Sequence, residues 1–173
     1  KTIKEHRRII FNGNGYDDAW IKEATEVRGL LNLRTTPDAM PHLLDKKNVD
    51  MLTAHKVFTK AELESRYEIM LENYCKTVNI EALTMVDMAK KEILPAVEGY
   101  AKELSDAVIA KTTAVPGLAC KYDKSVITKL STLADEIDTA AAALESAANK
   151  YKTVEDVTEA SCMIRDVILQ KMA

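Results

Sequence analysis

The segment from residue 59 to residue 114 carries a single helical signal, which constrains the fold more than any other feature of this sequence. It opens with Thr59-Lys60-Ala61-Glu62, a capping box in which the threonine hydroxyl accepts from the third helical amide and the glutamate bonds back to the capping residue. Apolar residues then recur every three or four positions, which indicates a buried stripe along one face. A helix of about 55 residues would span roughly 80 Å, so most of the remaining chain must pack along it.

The predicted stripe of the long helix comprises Leu63, Tyr67, Met70, Tyr74, Val78, Ile93, Val97, Tyr100, Leu104 and Val108. Met70, Met85 and Met88 at helical spacing are also predicted to fill the core. Pro95 has no amide hydrogen and its ring crowds the preceding turn, so it predicts a kink.

Two more helices follow the turn at Val115-Pro116-Gly117. Asp123 is predicted to cap the first and Thr153 the second, and the short link at Lys152 makes them antiparallel neighbours. With the far half of the long helix they are predicted to form a three-helix bundle. The predicted inward residues are Val126 or Ile127, Leu130, Leu133, Ile137, Ala141, Leu144, Ala148 and Tyr151 in the first helix, and Val154, Val157, Ile164, Val167 and Ile168 in the second.

Four short helices are predicted before the long one, packed on its near half. Their start signals are Thr2, Asp17, Thr36 and Asp45, and Gly29 ends the second of them in the C′ position. No strand-like alternation is found. The predicted fold is therefore all-α: a long kinked helix in an antiparallel three-helix bundle, with several short N-terminal helices. Two regions are expected, a short-helix segment over 1–58 and a helical bundle over 59–173.

Composition narrows the class of protein. With 47% hydrophobic and 29% charged residues, the chain is expected to be a soluble globular protein. No stretch approaches the roughly 20 apolar residues that cross a bilayer, so no membrane partner is expected. The three cysteines are odd in number and far apart, which favours reduced thiols and a cytoplasmic location. A net charge of -3 argues against nucleic acid as a partner.

Several residue groups invite a chemical interpretation, and each has a plainer one. Gly13-Asn14-Gly15 resembles a phosphate-binding loop, but the acidic Asp17 that follows favours a loop and helix cap. The three histidines, His6, His42 and His55, lie too far apart for a local metal site.

The long helix adds two further candidates. Its carboxylates, Glu68, Glu72, Glu81, Asp87 and Glu92, favour a solvated face or ion pairs to Arg66, Lys76, Lys90 and Lys91 over a metal site. Cys75 next to Tyr74 was weighed as a reactive thiol, with a small buried hydrophobe favoured. No catalytic, cofactor-binding or metal-ligating residue is assigned.

One aromatic-rich cluster surrounds the junction between the first two helices. It comprises Ile9, Ile10, Phe11, Tyr16 and Trp20. It fits a local core and a docking surface for another part of the protein equally well.

An ordered set of short strings resembles the C-terminal region of type III glutamine synthetase. The strings are 5–16 (EHRRIIFNGNGY), 29–33 (GLLNL), 36–39 (TPDA), 65–68 (SRYE), 71–74 (LENY) and 77–82 (TVNIEA). The resemblance runs from Thr2 to about Pro95 and weakens beyond. Together with a first residue that is Lys1, it implies that this chain is a C-terminal piece of a larger subunit.

The resemblance implies a parent enzyme, a glutamate–ammonia ligase that makes glutamine from glutamate, ammonia and ATP, with magnesium. Its reactive residues would lie upstream of this chain, so none is carried over and the chain itself is expected to be inactive. A structural and assembly role follows, with the parent catalytic domain and neighbouring subunits of a homo-oligomer as partners. The possible contact residues are Phe11, Tyr16, Trp20, Arg66, Tyr67 and Tyr74.

Two other functions remain open on the sequence. A regulatory module could recruit a partner protein through the basic first helix or the acidic last helices. A small-molecule sensor could use a pocket beside the alanine-rich face from Ala140 to Ala148.

Overall fold

A computed structural model describes the backbone of residues 1–173 and every side chain except that of Arg8. It consists of nine α-helices: α1 Thr2–Glu5, α2 Asp18–Lys22, α3 Thr36–Ala39, α4 Lys46–Ala54, α5 Lys60–Met88, α6 Leu94–Ala114, α7 Lys121–Tyr151, α8 Val157–Met163 and α9 Leu169–Met172. Short 3₁₀ turns lie at Arg7–Ile9 and Met40–Leu44, and π turns at Glu23–Val27, Ala89–Ile93 and Ile164–Ile168. No strand occurs in this described backbone, so the all-α prediction is confirmed.

The predicted capping box at the start of the long helix is confirmed. The Thr59 amide donates to the Glu62 carboxylate over 2.7 Å, and the Glu62 amide donates to the Thr59 hydroxyl over 3.2 Å. The helix then continues through α5, a π turn and α6 as far as Ala114. It is a single rod in which one turn is wider than the rest.

The widened turn comes just before Pro95. The proline leaves a carbonyl of the preceding turn without its amide partner, and the Leu94 amide bonds five residues back, to the Ala89 carbonyl. This turn adds one residue to the repeat, so the buried face after it is moved by one position. Leu94 and Ala101 turn inward, while Ile93 and Tyr100 are exposed, contrary to the predicted stripe.

The buried face of α5 also differs from the predicted one. Leu71 is fully buried, whereas the adjacent Met70 is 52% exposed. Tyr67 and Tyr74 lie at the edge of the face and are half-buried. The prediction for Met70 is wrong because the neighbouring helices cover the face of α5 that carries Leu71 and Cys75, and Met70 lies outside that face.

Helix α7 runs antiparallel to the long helix. Lys111 and Asp123 form an ion pair at 3.0 Å near the turn, and Lys90 and Glu145 form one at 2.6 Å further along. The chain then reverses, and α8 to α9 lies in the groove between α5 and α7. The core at this level is formed by Cys75, Val78, Ala82, Val86, Leu144, Ala147, Ala160, Ile164 and Ile168.

The three-helix bundle therefore forms around the near half of the long helix, not the far half. The reason is geometric: α7 ends beside Cys75, and the helical segment after it, from residue 157 to 172, reaches back only about 24 Å. The far half, α6, packs on the first half of α7 alone. We call this two-helix hairpin, residues 94–135, the arm.

Two of the predicted inward positions on α7 and the last helix are also wrong. Leu133 and Val167 are exposed, while the adjacent Ala134 and Ile168 are buried. On α7 a small residue again occupies the seam where two helices approach.

Two helix starts in the N-terminal part lie at other residues than predicted. Thr2 is already inside α1, whose cap position is Lys1, and that helix ends at Glu5 rather than Phe11. Thr35 rather than Thr36 caps α3, because its hydroxyl accepts from the Asp38 amide. Asp17, in contrast, caps α2 as predicted.

The starts of α7 and α8 also differ from the predictions. Asp123 lies in the first turn of α7, and Cys120, with a positive φ of 45°, occupies the cap position. Thr153 instead bonds to the Lys150 carbonyl at the end of α7, and Asp156 caps α8 by accepting from the Glu159 amide at 2.8 Å. In both cases the predicted residue lies near the helix start but does not cap it: Asp123 pairs with Lys111, and Thr153 bonds to the Lys150 carbonyl.

The short helices near the long one are tied to the bundle. The 3₁₀ turn Met40–Leu44 and helices α3 and α4 pack on α5. Arg165 of the last helix reaches Asp38 of α3 at 2.5 Å, and Asp38 also accepts from the Thr35 hydroxyl. One ionic cluster therefore joins α3 to the last helical segment of the chain.

Candidate interaction surfaces

The predicted aromatic cluster at the start of the chain is partly assembled. The rings of Phe11 and Trp20 stack at a centroid distance of 3.7 Å, and the Arg28 guanidinium lies 4.7 Å from the Trp20 ring centroid. Arg28 also donates to the Ile10 carbonyl over 2.7 Å, which fastens the end of the second helix to the first segment. Tyr16 lies outside this stack and is 96% exposed.

The glycine-containing loop is built as a turn. The Asn14 side chain accepts from the Tyr16 amide at 3.1 Å, and Asp17 accepts from the Ala19 amide at 3.0 Å. The helix amides that an anion would need are thus served by a carboxylate of the chain itself. This geometry fits the interpretation as a loop and helix cap.

A basic hollow lies on the other side of the same segment. It has a volume of about 720 Å³ and is lined by Ile3, Lys4, Arg7, Ile10, Asn12 and Arg28. Its cationic side chains and its exposed isoleucines could contact an acidic, partly apolar partner.

The three candidate residues on α5 make contacts within the chain. The Arg66 guanidinium lies 4.4 Å from the Phe58 ring centroid, and the Tyr67 hydroxyl is 2.9 Å from the Thr158 hydroxyl of α8. The Tyr74 hydroxyl is buried and has no hydrogen-bond partner among the described side chains, and burial raises the pKa of Tyr74. Tyr67 and Tyr74 thus lie where the last helix packs on α5, and Arg66 faces the segment just before α5; all three are apart from the aromatic stack.

The cysteine weighed as a reactive thiol is part of the core. Cys75 is buried beside Tyr151, and burial raises the pKa of its thiol. A thiol held protonated in this way is a poor nucleophile. The arrangement supports the interpretation of Cys75 as a small buried hydrophobe.

Two of the five carboxylates named on the long helix are paired with lysines. Glu72 binds Lys76 at 2.6 Å and Asp87 binds Lys91 at 2.5 Å, both one turn apart on the same helix. Lys90 binds across to α7, and Arg66 lies over a ring instead of a carboxylate. Within the described side chains, no group of three or more His, Cys, Asp or Glu residues could hold a metal ion. The described residues therefore do not fit a magnesium centre.

Methionines that were predicted to fill the core lie on the surface. Met70, Met85 and Met88 are all exposed, together with Ile80 and Ile93. Met85 and Met88 line an apolar depression of about 680 Å³ beside the π turn. The helical spacing placed them on a helix correctly, but it could not tell which of two apolar faces the last helix covers.

A second apolar groove adjoins this depression, beside the alanine-rich face where the sequence suggested a pocket. It has a volume of about 250 Å³ and lies where α9 ends between the long helix and α7. It is lined by Met85, Val86, Ala89, Ile137, Ala140, Ala141, Leu144, Lys171, Met172 and Ala173. The small side chains from Ala140 onward were a signal for it, since they leave space on one face of α7.

None of the helices in the described part combines the length and apolar character needed to cross a membrane. The surface features found here are apolar grooves, an aromatic stack and a basic hollow on a helical framework. This framework defines the class of the protein as an all-α helical domain.

Comparison with known proteins gives the family. The family model of the glutamine synthetase C-terminal domain matches residues 1–112, and the chain belongs to that family. Over 172 residues, 99% of the chain, it is 36% identical to a glutamine synthetase of Butyrivibrio fibrisolvens. It is 37% identical over 107 residues, 62% of the chain, to the type-3 glutamine synthetase of Dictyostelium discoideum.

A third relative is a glutamine synthetase of Bacteroides fragilis (strain YCH46), 35% identical over 96 residues or 56% of the chain. The matched regions cover 24%, 14% and 13% of these three relatives. The chain thus spans about a quarter of the first relative's length. The predicted resemblance to the C-terminal region of type III glutamine synthetase is confirmed.

Proposed function

We propose that this chain is a structural and assembly domain of a type III glutamine synthetase. The parent subunit would make glutamine from glutamate, ammonia and ATP, and the ATP and magnesium sites would lie on its other domains. This chain would contribute no reacting group. The domain would pack against the parent catalytic domain and neighbouring subunits of a homo-oligomer in the cytoplasm.

The observation that carries this proposal is the exposed apolar surface of the long helix. Met85, Met88 and Ile93 line a continuous depression beside a well-packed core, and large contiguous apolar surfaces on soluble proteins mark interaction sites. The family match supports a glutamine synthetase as the context. The geometry thus favours packing over catalysis.

The six candidate contact residues divide between two regions, and we propose different roles for them. Tyr16 and the Phe11–Trp20 stack would face the parent catalytic domain, in keeping with a short-helix segment over 1–58 beside that domain. Tyr67 and Tyr74 would hold α5 within the bundle region 59–173, and Arg66 would hold the end of the short-helix segment to α5 through Phe58.

Two measurements on the 173-residue chain test the proposal. An assay of glutamine formation with glutamate, ammonia, ATP and magnesium should show no turnover. Light scattering after size exclusion should show a mass above that of a single 19.2 kDa chain. Turnover by the chain would refute its inert role, and a folded monomer at all concentrations would refute its assembly role.

The basic hollow favours a second function, a regulatory module that binds an acidic partner segment. Lys4, Arg7 and Arg28 line the hollow from three positions of the N-terminal segment. Fluorescence titration of Trp20 with a poly-glutamate peptide tests this function. Binding that is lost in Arg7→Glu would support the regulatory role, and an unchanged Trp20 signal in the unmodified chain would reject it.

A further inference from the structure

Residues 31–34 connect two parts of the chain that are each held together by their own contacts. All four are exposed and belong to no helix, turn or strand, and within the described residues none of them makes a backbone hydrogen bond. The last such bond before them is donated by the Leu30 amide to the Ala24 carbonyl over 2.8 Å, and the next is donated by the Ala39 amide to the Thr35 carbonyl over 3.0 Å. Four consecutive residues therefore lack the bonds that normally fix backbone angles.

The N-terminal segment, residues 1–30, has a small core of its own. The rings of Phe11 and Trp20 stack at 3.7 Å, and the Arg28 guanidinium lies over the Trp20 ring. A Cβ added at Gly13 would lie 2.7 Å from the Phe11 ring, so the glycine lets the loop close tightly on the stack. All of these contacts lie within the segment.

The packed body that contains the bundle begins at Thr35. Its hydroxyl caps α3 by accepting from the Asp38 amide, Pro37 is buried, and Asp38 pairs with Arg165 of the last helical segment. From here on α3, α4 and the 3₁₀ turn between them pack on α5. Residues 35–173 therefore form one continuously packed body.

Among the described residues, no interface joins the N-terminal segment to this body. Helices α1 and α2 and the turns beside them form no packed interface with α3, α4 or α5. No ion pair between described side chains joins residues 1–30 to residues 35–173. The two hollows of the segment are lined only by residues between Ile3 and Asn32. Parts of one chain are expected to move relative to each other unless a large apolar interface holds them.

We propose that residues 31–34 are a hinge, about which the N-terminal segment and the body of residues 35–173 move as two units. Hinges are usually a few loop residues that absorb changes in φ and ψ, and these four can do so without breaking a backbone hydrogen bond. The movement would also separate no packed interface. The hinge goes beyond the assembly role proposed above and does not depend on it.

The hinge would let one part of the domain keep its contacts while the other part turns. The Phe11–Trp20 stack would stay intact while the bundle takes a range of orientations of similar free energy. A neighbouring protein surface that binds the bundle would then select one orientation from this range, and fixing it would cost conformational entropy.

Residual dipolar couplings of the backbone amides, measured on the 173-residue chain in a weakly aligning medium, test the hinge because they average over motions as slow as milliseconds. We expect the couplings of residues 1–30 to fit one alignment tensor whose magnitude is reduced about twofold or more relative to that of residues 35–173. Equal tensor magnitudes for the two parts would overturn the hinge. Couplings of residues 1–30 that fit no common tensor would also overturn it, because the segment would then not move as a unit.

Two variants at Leu33 should shift this result in opposite directions. Leu33→Pro restricts φ and removes no backbone hydrogen bond, so it should raise the alignment of the N-terminal segment toward that of residues 35–173. Leu33→Gly widens the range of backbone angles and should lower that alignment. Leu118→Gly is the matched control, because it makes the same change at an exposed turn of the arm and should leave the ratio of the two alignments unchanged. An unchanged ratio in both Leu33 variants would place the motion outside residues 31–34 and contradict the hinge.

Discussion

Leu71 shows how much depends on a single buried side chain in the seam between α5 and its neighbours. It is 0% exposed and surrounded by helices, whereas Met70 beside it faces solvent. Removing a fully buried leucine side chain loses both its transfer free energy and the contacts around the cavity that remains.

We expect Leu71→Ala to lower the free energy of unfolding by about 2–5 kcal/mol. Met70→Ala changes a neighbour of similar size, and its cost should stay within about 0.5 kcal/mol because its side chain is largely solvated. Urea denaturation of the two variants measures both values. Equal losses would show that the buried face of α5 is assigned to the wrong residues.

Glu62 gives the start of the long helix a pH dependence. The amide and hydroxyl of Thr59 donate to its carboxylate and lower the pKa of Glu62 below its usual range. A carboxyl whose pKa is lower in the folded state stabilises the fold above its unfolded-state pKa, and this contribution is lost as the pH falls through the folded-state value.

Glu62→Gln should therefore lose less stability on acidification than the unmodified chain. The two chains should differ at neutral pH and converge below the folded-state pKa of Glu62. Thermal unfolding midpoints at a series of pH values measure this, with Glu64→Gln as a control on the same helical turn. Parallel pH profiles for Glu62→Gln and the unmodified chain would contradict the role of the cap.

At the residue scale, the sequence predicted what local chemistry determines. The Thr59 cap, the Asp17 cap and the ion pair of Glu72 with Lys76 need only neighbours within one turn, and all three are present. The orientation of Met70 depends on which helix arrives from elsewhere in the chain. No local pattern contains that information, so the size of an apolar side chain did not predict its burial.

At the element scale, two glycines differ in their effect on stability, one in a turn and one inside a helix. Gly117 has a positive φ of 87° in the turn between α6 and α7, a conformation that other residues adopt only with strain. Gly99 lies within α6, and the space around its missing Cβ is open. The positive φ at Gly117 therefore requires glycine, whereas Gly99 only makes the helix less stable than alanine would.

Replacing each glycine by alanine should therefore change stability in opposite directions. We expect Gly117→Ala to lower the free energy of unfolding by about 1 kcal/mol and Gly99→Ala to raise it by about 0.5–1 kcal/mol. Urea midpoints on the same chain measure the difference. A stabilising Gly117→Ala would mean that the turn can adopt another geometry.

Most elements were predictable, but their exact starts and partners were less so. The long helix and the two after it follow from periodicity, and the turn at Gly117 follows from its residues. Asp123 and Thr153 were predicted as caps because their residue types suit caps. The position of the last helix could not be predicted, since it depends on where α7 ends in space.

At the scale of the whole molecule, the N-terminal segment and the bundle differ in how they are held. Residues up to about 34 contact mainly one another, through the Phe11–Trp20 stack and Arg28. The last helix supplies Ile164 and Ile168 to the shared core. Loss of one end of the chain should thus affect stability far more than loss of the other.

We expect a shortened chain over residues 35–173 to unfold within a few degrees of the full chain, because it keeps Thr35 and the whole bundle core. A chain over residues 1–155 should lose cooperative unfolding, since the seam of α5 would be open to water. Differential scanning calorimetry distinguishes the two. A cooperative transition in the second chain would show that α5 and α7 are stable without the last helix.

The all-α architecture was predictable at this scale, but the shapes of the apolar groove and depression on its surface were not. An all-α scaffold follows from the residue types and their spacing. The groove beside Ala140 is lined by side chains of the long helix, α7 and the last helix. Its shape therefore depends on how three separate helices pack, which no local pattern contains.

The widened turn before Pro95 rotates the face of α6 relative to the face of α5 within the long helix. One additional residue at Ala89–Ile93 turns every later side chain by about 100° around the helix axis. The same rod therefore faces the last helix along α5 and a different direction along the arm. One inserted residue in the middle of the long helix therefore determines which side chains of α6 face solvent.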